Sequence, residues 1–317
     1  DDMAGEGQLE GEKTSTFPHK VFPSKKEGLE TIIPTPFGNQ LLLEFAMAAI
    51  DGENLGQGPE PDVLCVSFSS IDYCGHKFGP YSHEVQDMTL RLDRQIADFV
   101  KFLDKKIGLA NVVLLLTSDH GVAPTPEFAI AQGLDGKRIN ESEVVDDLLG
   151  KMKERFGTTE LLLTPRIVGD NFFFNHEVLR EKQISPDTLC DFISEWALST
   201  GLYLEVYSRK ELLEGRAPGP IGMRVMNGFN AERSGDIVLV SKPYAIPGDK
   251  NSGTTHGSPY AYDTHVPVAF YGVPFKAGRY ADDFSVTDIA ATLCAAMHIN
   301  PPPLCMGKPL VRALALP

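Results

Sequence analysis

Apolar residues recur along this chain in two rhythms. Between residues 82 and 107, Val85, Met88, Leu92, Ile96, Phe99, Leu103 and Ile107 step by three or four, which gathers them on one face of an α-helix. Ser82 suits the N-cap, and Glu84 and Asp87 the first turns. Lys105 and Lys106 suit the negative end of the dipole, and Gly108 the stop. The flanking runs at residues 62–69 (DVLCVSFS) and 111–117 (NVVLLLT) are short, β-branched and unbroken, the signature of buried strands. Strand, helix and strand in succession predict a βαβ unit, hence an α/β fold whose sheet contains parallel strands covered by helices.

The same reading places shorter helices at 40–50, 141–155, 186–198 and 287–298, with Ser185 capping Pro186 at the first position of the third. Strands are expected at 161–168, 171–174, 202–207, 236–240 and 267–272, and loops at 71–80 and 301–309. Residues 1–38 are polar and aperiodic, an irregular lead-in. The strong pattern of 39–123 returns at 248–317, so these two stretches are read as one core and 124–247 as an inserted or extended lobe.

Composition narrows the function. In 317 residues, 29 basic against 43 acidic side chains leave a net charge of −14, which argues against a general nucleic-acid-binding surface. It does not exclude a phosphate-bearing substrate, because a bound cation reverses the local field. No apolar run approaches the roughly 20 residues of a membrane span, and residues 1–38 contain no signal-peptide pattern. The five cysteines show no CxxC spacing, so Cys65 on its strand and Cys294 on its helix are expected to be buried thiols.

Three segments place His or Asp just beyond a strand or beside a glycine: Asp72-Tyr-Cys-Gly-His76, Asp119-His120-Gly121 and Thr254-Thr255-His256-Gly257. Ligand sites in open α/β sheets gather at the carboxyl ends of strands. Imidazole nitrogen with carboxylate oxygen suits Zn²⁺, and three protein ligands with one open position make a catalytic site. Asp72, His76 and His256 form such a set, with Gly75 relaxing the turn between the first two. Asp119 and His120 are adjacent, so both can face one ion only from a turn beyond the strand; they begin a second site. Thr254 and Thr255 are expected to shape the His256 loop, Tyr73 and His265 to pack, and Trp196 to be core.

The blocks SFSSIDYCGHKFGPYSHEVQDMTLRLDRQI, LLLTSDHGVAPTPEF and THGSPYAYDTHVPVAFYG resemble the later metal-binding blocks of the alkaline phosphatase superfamily. The likeness is to its type I phosphodiesterase/nucleotide pyrophosphatase branch, and within it to phosphate-irrepressible alkaline phosphatases. The segments IIPTPFGNQLLLEFAMAAIDGENLGQG and SVTDIAATLCAAMHINPPPLCMGKPL resemble that subgroup too. A sulfatase is disfavoured, since no cysteine lies in a Cys-x-Pro/Ala-x-Arg segment.

The resemblance implies a three-layer α/β sandwich with a mixed, largely parallel central sheet and a partial inserted lobe. It implies a phosphate-ester hydrolase with two zinc ions, Asp72, His76 and His256 holding one and Asp119 and His120 contributing to the other. It further implies a periplasmic or extracellular location and a small-molecule phosphate ester as substrate. The family's Thr or Ser nucleophile, and its strand-end Asp, have no counterpart before these blocks. None of Thr16, Thr31 and Thr35 both follows a buried strand and precedes a capped helix. The expectation is therefore the C-terminal portion of a longer enzyme, with one complete zinc site and no activity of its own. The alternatives are a degenerate, non-catalytic metal-binding module and a nucleotide pyrophosphatase/phosphodiesterase preferring diesters.

Overall fold

In the computed structural model, the described residues are 3–9, 11–21, 28–247 and 251–315; the part of the lead-in at 22–27 lies outside them. Helix α1 is Pro36–Gly52, α2 Ser70–Phe78 and α3 His83–Lys106, followed by strand β1, Leu114–Thr117. Next come α4 (Pro126–Ala131), β2 (Lys137–Ile139), α5 (Glu141–Phe156), β3 (Asn171–Phe172) and α6 (His176–Glu181). Then follow α7 (Pro186–Ser199), β4 (Tyr203–Ser208), α8 (Arg209–Leu213) and α9 (Gly219–Gly228). The chain continues through β5 (Ile237–Ser241), β6 (Ala245–Pro247), α10 (Ala261–Thr264), β7 (Val268–Tyr271) and α11 (Asp288–Ala296).

The chain divides into two compact units, the first of residues 1–31, 72–86 and 122–265, the second of residues 32–71, 87–121 and 266–317. In the first unit, β5 is the centre of an antiparallel sheet with β3 and β4 on either side. Leu189, Ile193, Trp196 and Ala197 recur on one face of α7 and are buried with Leu148 and Met152 of α5, Phe172 of β3 and Ile237 of β5. At about 1.5–3 kcal/mol for each large side chain removed from water, this cluster is the stabilising mass of the unit. Trp196 is core, as predicted, and its indole Nε1–H donates to Asp147 Oδ2 at 2.8 Å. Elsewhere in this unit β2 and β6 pair in parallel.

In the second unit β1 pairs with β7 antiparallel, Leu114 opposite Tyr271 and Thr117 opposite Val268. Gln95 of α3 donates to the Pro36 carbonyl and to Gln40 Oε1 of α1. The first predicted strand differs from expectation: no strand is assigned across residues 61–68, and Val63, Leu64 and Cys65 are exposed. The predicted βαβ unit therefore lacks its first strand among the described residues. A β-branched run becomes a strand only when a neighbour satisfies its backbone, and no strand pairing is assigned to it among the described residues. Phe45, Leu116 and Tyr271 are also exposed, whereas Cys294 is buried as expected.

The second difference bears on the site. Of residues 71–80, predicted as a loop, those up to Phe78 lie in α2. Cys74 and Phe78, one turn apart, are almost fully buried, and that anchored stripe outweighs the roughly 1 kcal/mol that glycine costs inside a helix. A Cβ on Gly75 would meet nothing nearer than Val122 at 3.9 Å, so this glycine serves no turn.

The stretch read as an irregular lead-in contains a 3-10 turn at Leu29–Ile32 and the start of α1 at Pro36, and its earlier described residues are tied down. His19 Nδ1 lies 2.6 Å from Glu12 Oε2 and its Nε2 2.9 Å from Glu84 Oε1 of α3, with all three side chains nearly buried. Replacing His19 by Ala leaves two carboxylates without their shared partner. We expect a loss on the order of 3 kcal/mol in denaturant unfolding, with proteolysis entering first at residues 11–21; wild-type stability and resistance would refute this.

Asp170 turns the chain between Val168 and Asn171 at φ 62°, a conformation that Asn tolerates as well. Burial pushes its carboxyl up to about 6. The raised value favours the folded state fully below the unfolded value near 3.8, and that advantage is lost as pH rises through about 6. Asp170→Asn should therefore leave stability unchanged at pH 3.5 and raise it at pH 8 by on the order of 1–3 kcal/mol. An equal gain at both pH values would show that the charge is not responsible.

Candidate metal centre

Helix α2 brings the first two predicted ligands together. At i and i+4, Asp72 and His76 share one face, with His76 Nε2 3.4 Å from Asp72 Oδ2. The loop after residue 251 brings in the third: His256 Nε2 lies 3.7 Å from Asp72 Oδ1, and the two imidazole centroids are 4.8 Å apart. One ligand atom from each of the three lies within 4.8 Å of the others. Zinc bonds of about 2.0–2.1 Å in a tetrahedron put neighbouring ligand atoms about 3.4 Å apart, so the donor types and their spacing fit such an ion. Each side chain is a quarter to a third exposed, which leaves one side open.

The chemistry of the neighbours settles the tautomer of His76. Its Nδ1 is 2.9 Å from the Thr254 carbonyl oxygen, which can only accept, so Nδ1 carries the proton and Nε2 presents its lone pair toward Asp72 and His256. The Thr254 N–H donates in return to the His76 carbonyl at 2.8 Å. Thr254 Oγ1 donates to Ala123 O at 2.9 Å, and the Ala123 N–H to Thr255 O at 3.3 Å. Both threonines thus shape the His256 loop, as the sequence predicted.

Two supporting residues escaped the sequence reading. Gly253 has φ 75°, and a Cβ there would lie 2.4 Å from the His76 carbonyl, so only glycine allows the loop to approach α2. Arg138 of β2 grips Glu127 of α4 through two bonds of 2.7 Å and donates from Nη2 to the Gly253 carbonyl at 3.0 Å. Gly253 could have been suspected from its place three residues before His256. Arg138 carries no local signal, because its role exists only across 115 positions of sequence.

Asp119 and His120 follow β1 directly and belong to the second unit. The Asp119 carboxylate is largely exposed and accepts the His120 N–H at 3.2 Å. His120 Nδ1 lies 2.8 Å from the Gly121 carbonyl, the same tautomer-fixing contact that His76 makes. Thr35 Oγ1 is committed to the Ile32 carbonyl at 2.6 Å and Thr31 Oγ1 to Gly28 O at 3.2 Å. Tyr73 is exposed, not packed, because α2 buries its Cys74 face. His265 is exposed as well, at the end of α10 and before β7.

Comparison with known proteins supplies the context. A sequence profile of the type I phosphodiesterase/nucleotide pyrophosphatase family matches residues 14–263. The chain is 36% identical to alkaline phosphatase PafA of Elizabethkingia meningoseptica over 99% of its own length and 57% of that protein's. It superposes on the PafA crystal structure with a TM-score of 0.93, covering 60% of that chain. A Myroides odoratus protein named calcium-transporting ATPase is 37% identical, over 99% of this chain and 58% of its own length. Murine ectonucleotide pyrophosphatase/phosphodiesterase 5, solved in complex with AMP, shares the fold at 16% identity, with a TM-score of 0.58 over 87% of this chain and 64% of that one. The chain therefore spans little more than half the length of the curated relatives it matches.

The triad geometry leads to two expectations. Equilibrium dialysis followed by elemental analysis should find about one tightly held zinc per chain, lost in His256→Ala. Gly253→Ala, which keeps every ligand, should weaken zinc binding roughly 10–100-fold, in the range seen when groups that orient ligands are disturbed, with an unchanged circular dichroism spectrum. Wild-type affinity in Gly253→Ala would mean that the loop's approach to α2 does not set the site.

Proposed function

The chain belongs to the type I phosphodiesterase/nucleotide pyrophosphatase family, and from that premise we propose that it carries the C-terminal part of a two-zinc phosphate-ester hydrolase. The observation that carries this reading is the Asp72–His76–His256 cluster, with the proton of His76 held on Nδ1 by Thr254 and its other nitrogen turned to the shared centre. A bound zinc supplies charge neutralisation and a lowered pKa for a coordinated hydroxyl. The residues of this chain hold and orient. Asp72 offers the charge that balances the cation, His76 and His256 the neutral nitrogens, and Thr254 and Gly253 keep the three ligands in register.

In this reading Asp119 and His120 contribute to the second metal position. The attacking hydroxyl, a Thr or Ser that becomes phosphorylated and is then released by water, lies outside residues 1–317. Supporting this are the span of only 57% of the PafA length and the side chains of Thr31 and Thr35, both engaged with backbone carbonyls. Residues 61–68, in no strand among the described residues, and the exposed apolar side chains Phe45, Val63 and Leu116 fit a second unit covered by further polypeptide. The substrate is a small phosphate ester, and the site of action is the periplasm or the exterior of the cell, as the family likeness suggests.

The test compares the zinc-loaded chain with a polypeptide extended at its N-terminus to the length of PafA, assayed with p-nitrophenyl phosphate and bis-p-nitrophenyl phosphate. We expect no hydrolysis by residues 1–317 alone. The extended protein should turn over at least one ester, with kcat/KM about 10³-fold lower in its His256→Ala variant. An extended protein that binds zinc and hydrolyses neither ester would be a non-catalytic metal-binding module, and turnover by residues 1–317 would place the nucleophile within them.

A further inference from the structure

The first unit contains a cavity of about 400 Å³, within the roughly 300–1,000 Å³ typical of small-molecule sites. One wall is the Thr255–Ser258 stretch that carries His256; the others include Arg224 of α9, Lys242, Tyr260 and Tyr262. The cavity thus begins at a residue of the metal cluster. The two tyrosines are fixed walls. Tyr260 Oη donates to Ser241 O at 2.5 Å, Tyr262 Oη accepts the Tyr244 N–H at 3.3 Å, and their rings are 5.6 Å apart.

Two cations, Arg224 and Lys242, stand on the wall of this cavity. The protein carries −14 overall, so its cations have an excess of carboxylates to choose from. Among the described residues, Arg138, Arg91, Lys151 and Lys210 are ion-paired. Neither Arg224 nor Lys242 has a carboxylate within 4.0 Å among those residues, although both line the cavity. Arg224 uses Nη1 to donate to the Pro259 carbonyl, which aligns the guanidinium beside the His256 loop and leaves other N–H groups for a ligand. Asp170 and Asp263 line the same cavity and oppose an anion when ionised; burial pushes the Asp170 carboxyl up to about 6, and Asp263 Oδ2 accepts from the N–H and hydroxyl of Ser258, which holds that carboxylate to the His256 loop.

Resting on the hydrolase reading above, we propose that this cavity receives the non-transferred part of the substrate and selects phosphate esters whose alcohol portion carries an anionic group of its own, a carboxylate or a second phosphate. An ester whose reacting phosphate sits at the Asp72–His76–His256 cluster has its remainder beside His256. That is where Tyr260 and Tyr262 offer apolar surface and Arg224 and Lys242 offer charge-assisted hydrogen bonds. The pair would discriminate against neutral alcohols, because those leave both cations solvated and unused.

The experiment is calorimetric titration of the zinc-free chain with 4-hydroxybenzoate, phenyl phosphate and benzyl alcohol. At least one of the two anions should bind about tenfold more tightly than benzyl alcohol, and which one identifies the anionic group preferred. The double variant Arg224→Gln/Lys242→Gln should lose that advantage while binding benzyl alcohol as before, with unchanged zinc content. His76→Ala, which removes a metal ligand outside the cavity wall, should keep it. Anions binding no better than benzyl alcohol, or a double variant behaving as wild type, would overturn the proposal. Anion binding that depends on Arg224 and Lys242 in a chain that takes up no zinc would leave the cavity standing and remove the metal reading. Zinc uptake without anion preference would do the reverse.

Discussion

The candidate site depends on a reciprocal pair of hydrogen bonds between positions 178 residues apart: His76 donates through Nδ1 to the Thr254 carbonyl, and the Thr254 N–H donates back to the His76 carbonyl. One bond fixes the ring and its tautomer; the other fixes the backbone that carries the ring. Together they convert a helix end and a distant loop into one rigid ligand frame. Each bond is worth only about 1 kcal/mol net, so their weight lies in geometry, since a ligand frame displaced by a fraction of an ångström loses its fit to a small cation.

That pair is itself supported from three directions. Cys74 and Phe78 bury the opposite face of α2. Gly7 donates its N–H to the Lys77 carbonyl, and the Gly253 N–H reaches the Gly5 carbonyl, so the lead-in caps both halves of the frame. Arg138, held in its orientation by Glu127, anchors the carbonyl of Gly253. An apolar core centred on α7 and β5 lies in the same unit. The ligands thus stand on packed elements and a stapled loop, the condition under which a site keeps its shape without an ion.

Electrostatics divides the labour within an acidic protein. The cluster joins one carboxylate to two imidazoles, a donor set whose single negative charge leaves a divalent ion with positive charge to offer an anionic ester. Beside it, Arg224 and Lys242 stand in a cavity without carboxylate partners among the described residues. A negative protein can recognise a negative substrate when the positive groups are concentrated where the substrate must sit.

The sequence by itself determined the elements whose cause is local. Helices α3 and α5, the Ser185 cap of α7, strands β1, β4, β5 and β7, and the residue types and order of Asp72, His76 and His256 were legible, because periodicity, capping and ligand chemistry act within a few residues. The helix under Asp72 and His76 was not, because glycine and a short span argued for a loop and only the burial of Cys74 and Phe78 outweighs that. Nor was the solvent-facing state of residues 61–68, since a strand exists only when a neighbour pairs with it. The convergence of His256 on α2, the need for glycine at 253 and the brace from Arg138 were decided by tertiary structure alone. Each is a contact across more than a hundred residues, and sequence spacing carries no information about distances of that kind.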